Sequence, residues 1–229
     1  DNSTIEDAYQ ELLENFGGVD AAYLDTANWA IETGEYLSSY RLTGLITEPT
    51  GVDELVSSIQ LQTLTYLWWD ERDRKVKLKA IRGIDSPPPT LTDEAHIISG
   101  SFSLSEKPRE RISRVYVHYA KQDFTAGITD DKSYRSRYII ADLESETEAL
   151  YGEKSIRNVY APFLITQTLA ANTATKVITR YVDVPSECTF LVDAKDREYW
   201  VGSTFYISHY LDRDQYGARR VRQWTVTSA

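Results

Sequence analysis

The stretch Thr65-Tyr66-Leu67-Trp68-Trp69-Asp70-Glu71-Arg72-Asp73-Arg74-Lys75-Val76-Lys77-Leu78-Lys79-Ala80 decides the fold class. It opens on aromatic and aliphatic residues, a composition suited to a pleated, half-buried surface. Asp70 to Arg74 is a polar turn. Lys75 to Ala80 then alternates with period two, so Val76, Leu78 and Ala80 share one face and the lysines the other. Two such runs around a polar turn predict a hairpin over 66–81. Trp68 and Trp69 point to opposite faces of their strand. One indole is expected in the core, the other at an interface.

Upstream of the hairpin the period changes from two to that of a helix. Val52, Leu55, Val56 and Ile59 form one buried stripe, with Thr50 as the expected cap and Asp53 complementing the helix dipole. Arg41 to Glu48 reads as a strand stopped by Pro49. At the start, Ser3 and Glu6 fit a capping box. Ile5, Ala8, Tyr9, Leu12, Leu13 and Phe16 then make a single apolar stripe, ended by Gly17-Gly18. A short helix is expected from Asp25 to Glu32, ending near Gly34. Helices and strands mix without a regular strand–helix–strand rhythm, which predicts an α+β fold.

Downstream, Pro87-Pro88-Pro89 is stiff, extended and unable to enter a ladder. It predicts three parts: an α+β subdomain over 1–86, a proline-rich linker over 87–93, and a β-rich domain over 94–229. In that last part candidate strands are Ile97–Leu104, Ile112–Tyr119, Tyr134–Leu143, Cys188–Val192, Trp200–Ile207 and Arg219–Val226. One helix is expected near 166–181, with Ala170, Ala174, Val177, Ile178 and Tyr181 inward and Pro185 beyond its end.

The 229 residues suffice for one large domain or two modest ones. No apolar run approaches the roughly 18 residues of a membrane-spanning helix. The net charge of -10 argues against a general nucleic-acid binder. That charge is uneven. Residues 1–40 hold nine acids and no Lys or Arg, whereas residues from 105 onward hold 17 acids and 18 bases. The acidic start reads as a solvated face, or more sharply as a surface that docks a basic partner. Oligomer contacts are expected mainly in the near-neutral β-rich part. The chain lacks Met and begins at Asp1-Asn2-Ser3, which suggests a piece of a longer protein.

Searching for chemistry yields no catalytic, cofactor-binding or metal-binding residue. His96, His118 and His209 have no second His or Cys at ligand spacing. Ser208-His209 are adjacent but have no nucleophile elbow before them. Cys188 sits in an apolar run and reads as a buried structural thiol, and a single cysteine excludes an internal disulfide. Asp193, Asp196, Asp212 and Asp214 fall at strand ends where a glycosidase pair could form. Turns favour Asp for local hydrogen bonding, so these acids alone specify nothing. Sixteen Tyr and five Trp suit either sugar stacking or a protein interface.

Several longer words carry more. They are Tyr40-Arg41-Leu42-Thr43-Gly44-Leu45-Ile46-Thr47-Glu48-Pro49-Thr50, Val52-Asp53-Glu54-Leu55 and Tyr66-Leu67-Trp68-Trp69-Asp70-Glu71-Arg72. Beyond the prolines come Ser101-Phe102-Ser103, Lys107-Pro108-Arg109-Glu110-Arg111-Ile112-Ser113-Arg114-Val115, Ile156-Arg157-Asn158-Val159-Tyr160-Ala161-Pro162-Phe163, Asp193-Ala194-Lys195-Asp196 and Arg222-Gln223-Trp224-Thr225-Val226. From about residue 4 to the end the chain resembles the phage tail-tip and baseplate-hub family, which includes the tip attachment protein J of lambda-like phages. The resemblance implies an internal fragment of a non-enzymatic structural protein of the virion tail. It implies a homotrimer in the full-length context, with tube, fibre or spike proteins as partners. No cofactor, sequence-specific nucleic acid or membrane segment is implied. The role would be tail assembly and host attachment or DNA-delivery architecture. From the residues alone, a carbohydrate-binding module for a host-surface glycan and a tail-associated cell-wall hydrolase are the alternatives.

Overall fold

A computed structural model describes residues 3–47, 49–81, 88–147, 149–193, 195 and 199–228. The fold is α+β, with helices set against small, mostly antiparallel sheets. The chain divides into two compact units. The first joins Asp1–Ile81 to Glu110–Asp183, and the second joins Arg82–Arg109 to Val184–Ala229. This differs from the expected 1–86 and 94–229 partition. The chain does leave the first unit near the prolines, but it returns at Glu110 to build most of that unit's second half. No composition change marks this return.

In the first unit, α1 (Ile5–Glu11) buries Ile5 and Tyr9. Its cap is Thr4, whose side chain accepts from the Asp7 amide, and not the expected Ser3. Ser3 is taken up by a two-way backbone pairing with Leu42. The helix then widens into a π turn at Leu12–Phe16, with Gly17 donating to the Leu12 carbonyl at 2.8 Å. A side chain at Gly17 would meet the Leu13 carbonyl oxygen at 2.8 Å, so glycine is required there. Next, α2 (Thr26–Tyr36) runs past Gly34, where helical backbone is tolerated and the Thr33 hydroxyl donates to the Trp29 carbonyl.

Arg41–Glu48 is not a strand among its described residues; Glu48 lies outside them. Leu42 bridges Ser3, Thr43 donates to the Phe163 carbonyl, and Gly44 is pressed against the Phe163 ring. With its partners split between Ser3 and Phe163 the segment forms no ladder. Helix α3 (Val52–Thr63) starts from Gly51 instead of Thr50 and ends on Leu64 in the left-handed conformation. The expected hairpin forms as β1 (Thr65–Asp70) and β2 (Lys75–Ala80), with Leu67 opposite Leu78 and Trp69 opposite Val76. Buried Trp29 of α2 donates its indole N–H to the Val76 carbonyl at 3.0 Å and pins that helix to the hairpin.

The rest of this unit is a three-stranded sheet in the order β6–β5–β7. Here β5 (Arg114–Lys121) runs antiparallel to β6 (Tyr134–Ala141) and parallel to β7 (Ile156–Ala161). Helix α4 (Gln167–Tyr181) covers one face, its Ala170 and Ala174 fully buried on the side of Val115 and Val117. Small residues allow that close approach. A buried polar knot ties α3 to this half. Gln62 donates to Ser58, accepts from the Phe163 amide at 3.1 Å, and its carbonyl accepts from Thr173 at 2.7 Å. All three bonds are internal, which makes a fully buried glutamine tolerable.

The second unit is smaller. β3 (Thr90–Thr92) lies parallel to β9 (Thr204–Arg213), which pairs antiparallel with β10 (Arg219–Thr225). β4 (Ser103–Glu106) pairs antiparallel with β8 (Ser186–Thr189). Thus the expected linker 87–93 is in part a strand. Pro89 has no N–H, but its carbonyl accepts from Tyr206 at 2.9 Å and seeds β3; Pro87 lies outside the described residues. The expected strand at Ile97–Leu104 reduces to β4 plus a single bridge from Ile97 to Val192. That at Trp200–Ile207 begins later, because Trp200, Gly202 and Ser203 form a tight turn. Leu91, Ile97, Phe102, Phe205 and Ile207 make the core.

Candidate functional site

Of the four acids considered from the sequence, the three described ones are each held in separate local interactions. Asp212 is buried and holds Arg222, with Nε–Oδ2 at 3.1 Å. Asp214 accepts from the Tyr216 and Ala218 amides and shapes the β9–β10 turn. Asp193 accepts from the Lys195 amide, and Asp196 lies outside the described residues. Each described acid is thus engaged in local structure, as turn chemistry predicts.

The histidines are also separate. His96 Nδ1 accepts from the Thr92 amide at 3.1 Å. His209 stacks on Phe102 with centroids 3.9 Å apart, and burial pushes its pKa below the ordinary value. His118 is buried in mid-strand, stacked on Tyr160 at 4.9 Å, with Nε2 3.8 Å from Asp131 Oδ1. Tyr160 donates its hydroxyl to that same Asp131 oxygen at 2.9 Å. Among the described residues no three His, Cys, Asp or Glu side chains converge as a metal site. Cys188 packs beside Leu104 in the second core; burial, aided by Asp212 and Glu187, pushes its thiol up to about 12. It is therefore a thiol and not a thiolate at neutral pH.

What the structure offers instead is surface. Trp68 is half-buried and stacks on Tyr66 at 5.1 Å on the lysine face of the hairpin. Trp69, on the opposite face, is 49% exposed at the hairpin end and meets exposed Tyr23 edge-on at 5.9 Å. So neither indole lies in the core: Trp68 is half-buried and Trp69 exposed, whereas Leu78 and Ala80 of the partner strand are buried.

The sheet face away from α4 is the second such surface. Tyr116 lies in register between Ile139 and Asn158, and Arg114 between Ala141 and Ile156. Ile139 and Ile156 are exposed, and Arg137 stacks on Tyr116 at 5.1 Å. At one end the loop 142–153 is clamped down by Glu146. That carboxylate accepts from Arg114 at 2.7 and 2.8 Å and from the Ser113 hydroxyl at 2.7 Å. The Arg114 guanidinium holds the Glu146 carboxyl down at about 2.

Arg111 is the residue that sequence reasoning missed. It is 4% exposed, its Nη2 donates to the Glu153 carbonyl at 2.9 Å, and its guanidinium lies 4.3 Å from the Tyr151 ring centroid. Its Nη1 is buried with no acceptor, and no carboxylate pairs with it among the described residues. Nothing in Glu110-Arg111-Ile112 distinguishes this arginine from its neighbours. Chemically, these elements offer aromatic, apolar and charged contact surfaces.

Two solved structures share the fold of this chain, and a third aligns with it more weakly. A tail protein from Neisseria meningitidis MC58 is similar at TM-score 0.52 and 13% identity, over 96% of this chain and 59% of that one. A chain of the native gene transfer agent virion is similar at TM-score 0.58 and 12% identity, over 98% of this chain and 48% of that one. The prophage tail protein gp18 from Listeria monocytogenes EGD-e aligns at TM-score 0.40 and 10% identity, over 80% of this chain and 48% of that one. The chain thus spans about half the length of the structures it matches. No family model and no curated protein sequence matches it. Among the described residues no helix is long and apolar enough to cross a membrane.

Proposed function

We propose that this chain is a non-enzymatic structural module of a phage or prophage tail, a part of the tail-tip or baseplate hub. The single observation that carries the reading is the fold likeness over 96% and 98% of the chain to a tail protein and to a virion component. The sequence words that resemble those of tail-tip hubs favour the distal end over the tube. In its full-length context the protein forms a homotrimer and joins tube, fibre or spike proteins in the virion tail, serving assembly and host attachment or DNA delivery. Edge strands β6 and β10 and the exposed sheet face supply the contact surfaces, and stable assembly needs interfaces above roughly 1,000 Å². Antibody raised against this chain should label the distal tip of particles from its native host. Label along the whole tube, or none on the particle, contradicts the reading.

A carbohydrate-binding role is favoured by one feature, the exposed Tyr23–Trp69 pair, whose angled rings could stack on sugar faces. A glycan array with the wild type and Trp69→Ala tests it. Sugar binding lost in the variant supports the role, and no binding by the wild type removes it.

A further inference from the structure

His209 lies where the β9–β10 ladder of the second unit is interrupted. Arg219 stands opposite Arg213 and Val221 opposite Ser208, so residues 209–212 of β9 bulge out against Arg220 alone. The bulge breaks the in–out alternation: Tyr210 and Leu211 are neighbours, yet both are exposed, and Tyr216 is exposed at the tip of the arm. Bulges re-aim side chains in this way. The His209 ring is buried and supports the bulge from inside. It stacks on Phe102 at 3.9 Å and leans against Tyr210 at 4.6 Å. Its Nδ1 accepts from the Leu211 amide at 3.2 Å. That bond requires the neutral ring, because an imidazolium carries a proton on both nitrogens and accepts nothing. Charged groups surround it on three elements. Asp93, just after β3, holds Arg219 of β10, which also meets Glu94, and Asp212 of β9 holds Arg222.

We propose that His209 is a proton-operated latch: neutral, it holds the bulge that turns Tyr210 and Leu211 outward, and protonated, it releases the β9–β10 arm. Protonation removes the acceptor of the Leu211 amide and sets a charge against the Phe102 ring, where water cannot solvate it. The direction of the response follows from the same burial. Burial holds the His209 pKa below its ordinary 6.5, with Arg219 adding to the effect and Asp93 and Asp212 opposing it. As pH falls below 6.5 the released arm therefore binds more protons than the latched one, so the latched form is fully stable only above that value and weakens on acidification. The latch controls how an exposed aromatic edge of the second unit is presented, and it does not depend on the tail-hub reading.

The test follows amide exchange of the full chain at Leu211 and along residues 209–219 as pH falls from about 7.5 to about 5.5, corrected for the intrinsic pH dependence of exchange. The His209 ring is titrated in parallel by NMR. Exchange at Leu211 should speed up by about threefold or more over this range, with the midpoint of the ring titration. His209→Asn places a side-chain carbonyl near the position of Nδ1 and has nothing to titrate, so it should remove the step. His96→Asn is the control. His96 belongs to the same unit and its Nδ1 accepts from the Thr92 amide, so a step that vanished in that variant would belong to the wrong histidine and overturn the proposal. A flat wild-type profile, a step whose midpoint departs from that of the His209 ring, or a step retained in His209→Asn also overturns it. Where His209→Asn fails to fold, the coincidence of the wild-type ring and amide midpoints decides alone.

Discussion

The two units of the chain are held together differently. In the first, one continuous apolar cluster runs from Ile5 and Trp29 through the hairpin to α4 and the β5–β7 sheet. In the second, five buried side chains around Leu91 form the core, and ion pairs do much of the stitching between strands and turns. Arg222 holds Asp212 in the β9–β10 ladder, and Arg219 holds Asp93 at 2.9 Å. Burial scales with unit size, so the small unit has little reserve against loss of a single side chain. The large unit tolerates buried polar groups such as Gln62 because its core can surround and satisfy them.

That contrast can be broken most sharply in the two cores. Trp29→Ala removes a fully buried indole and its bond to Val76, and is expected to destabilise the first unit by about 3–5 kcal/mol. Leu91→Ala in the smaller core is expected to remove about 2–5 kcal/mol and to unfold the second unit first. Urea titration followed by hydrogen exchange distinguishes the outcomes. Uniform loss of protection across both units in Leu91→Ala would show that they are one cooperative body.

A smaller effect comes from pH. Glu146 is held at about 2 by Arg114, below its ordinary value of 4.5. Its contribution is therefore present above the ordinary carboxylate range and is lost as pH falls through about 2. Exchange protection of loop 142–153 should fall on acidification over that window, and Glu146→Gln should flatten the profile. A wild-type profile as flat as the variant's would remove the clamp from the account. The smallest effect is expected at Cys188. With its thiol pushed up to about 12, alkylation at pH 8 should be slow in the folded chain and fast only in denaturant. Rapid labelling of the folded chain would mean that the second core is more open than described.

The same contrast governs how much the sequence reveals. Where one face is buried against a large core, the period is legible. The hairpin, α3, α4 and strands β5 and β6 all fall close to their expected places, because their apolar spacing reports that burial. Strand β7 is obscured, since its inward positions include Arg157, which is tolerated because its guanidinium stacks on Tyr181 at 4.7 Å. Arg41–Glu48 shows the reverse failure. It reads as a strand stopped by Pro49, but Leu45 and Ile46 are exposed and its described residues join no ladder. The capping residues slip by one because Ser3 and Thr4 are both competent, and only the pairing with Leu42 decides between them. The division into units is legible at the prolines and invisible at the return near Glu110.

At the candidate surfaces, Asp193 and Asp214 perform turn chemistry and Asp212 holds Arg222 across the β9–β10 ladder. Alternation along the strand marks Trp68 and Trp69 as facing opposite sides but not which of them is exposed, nor that neither enters the core. The burial of Arg111 under Tyr151 was not legible at all, because it is set by tertiary packing that no local pattern records.

The most direct measurement of the central claim is a reconstruction of the particle's distal tail end at side-chain resolution. The account predicts this fold at the tip in three copies around the tail axis, within a longer hub chain. Absence of the fold from the tail end, or its presence only as a detached surface domain, would contradict it.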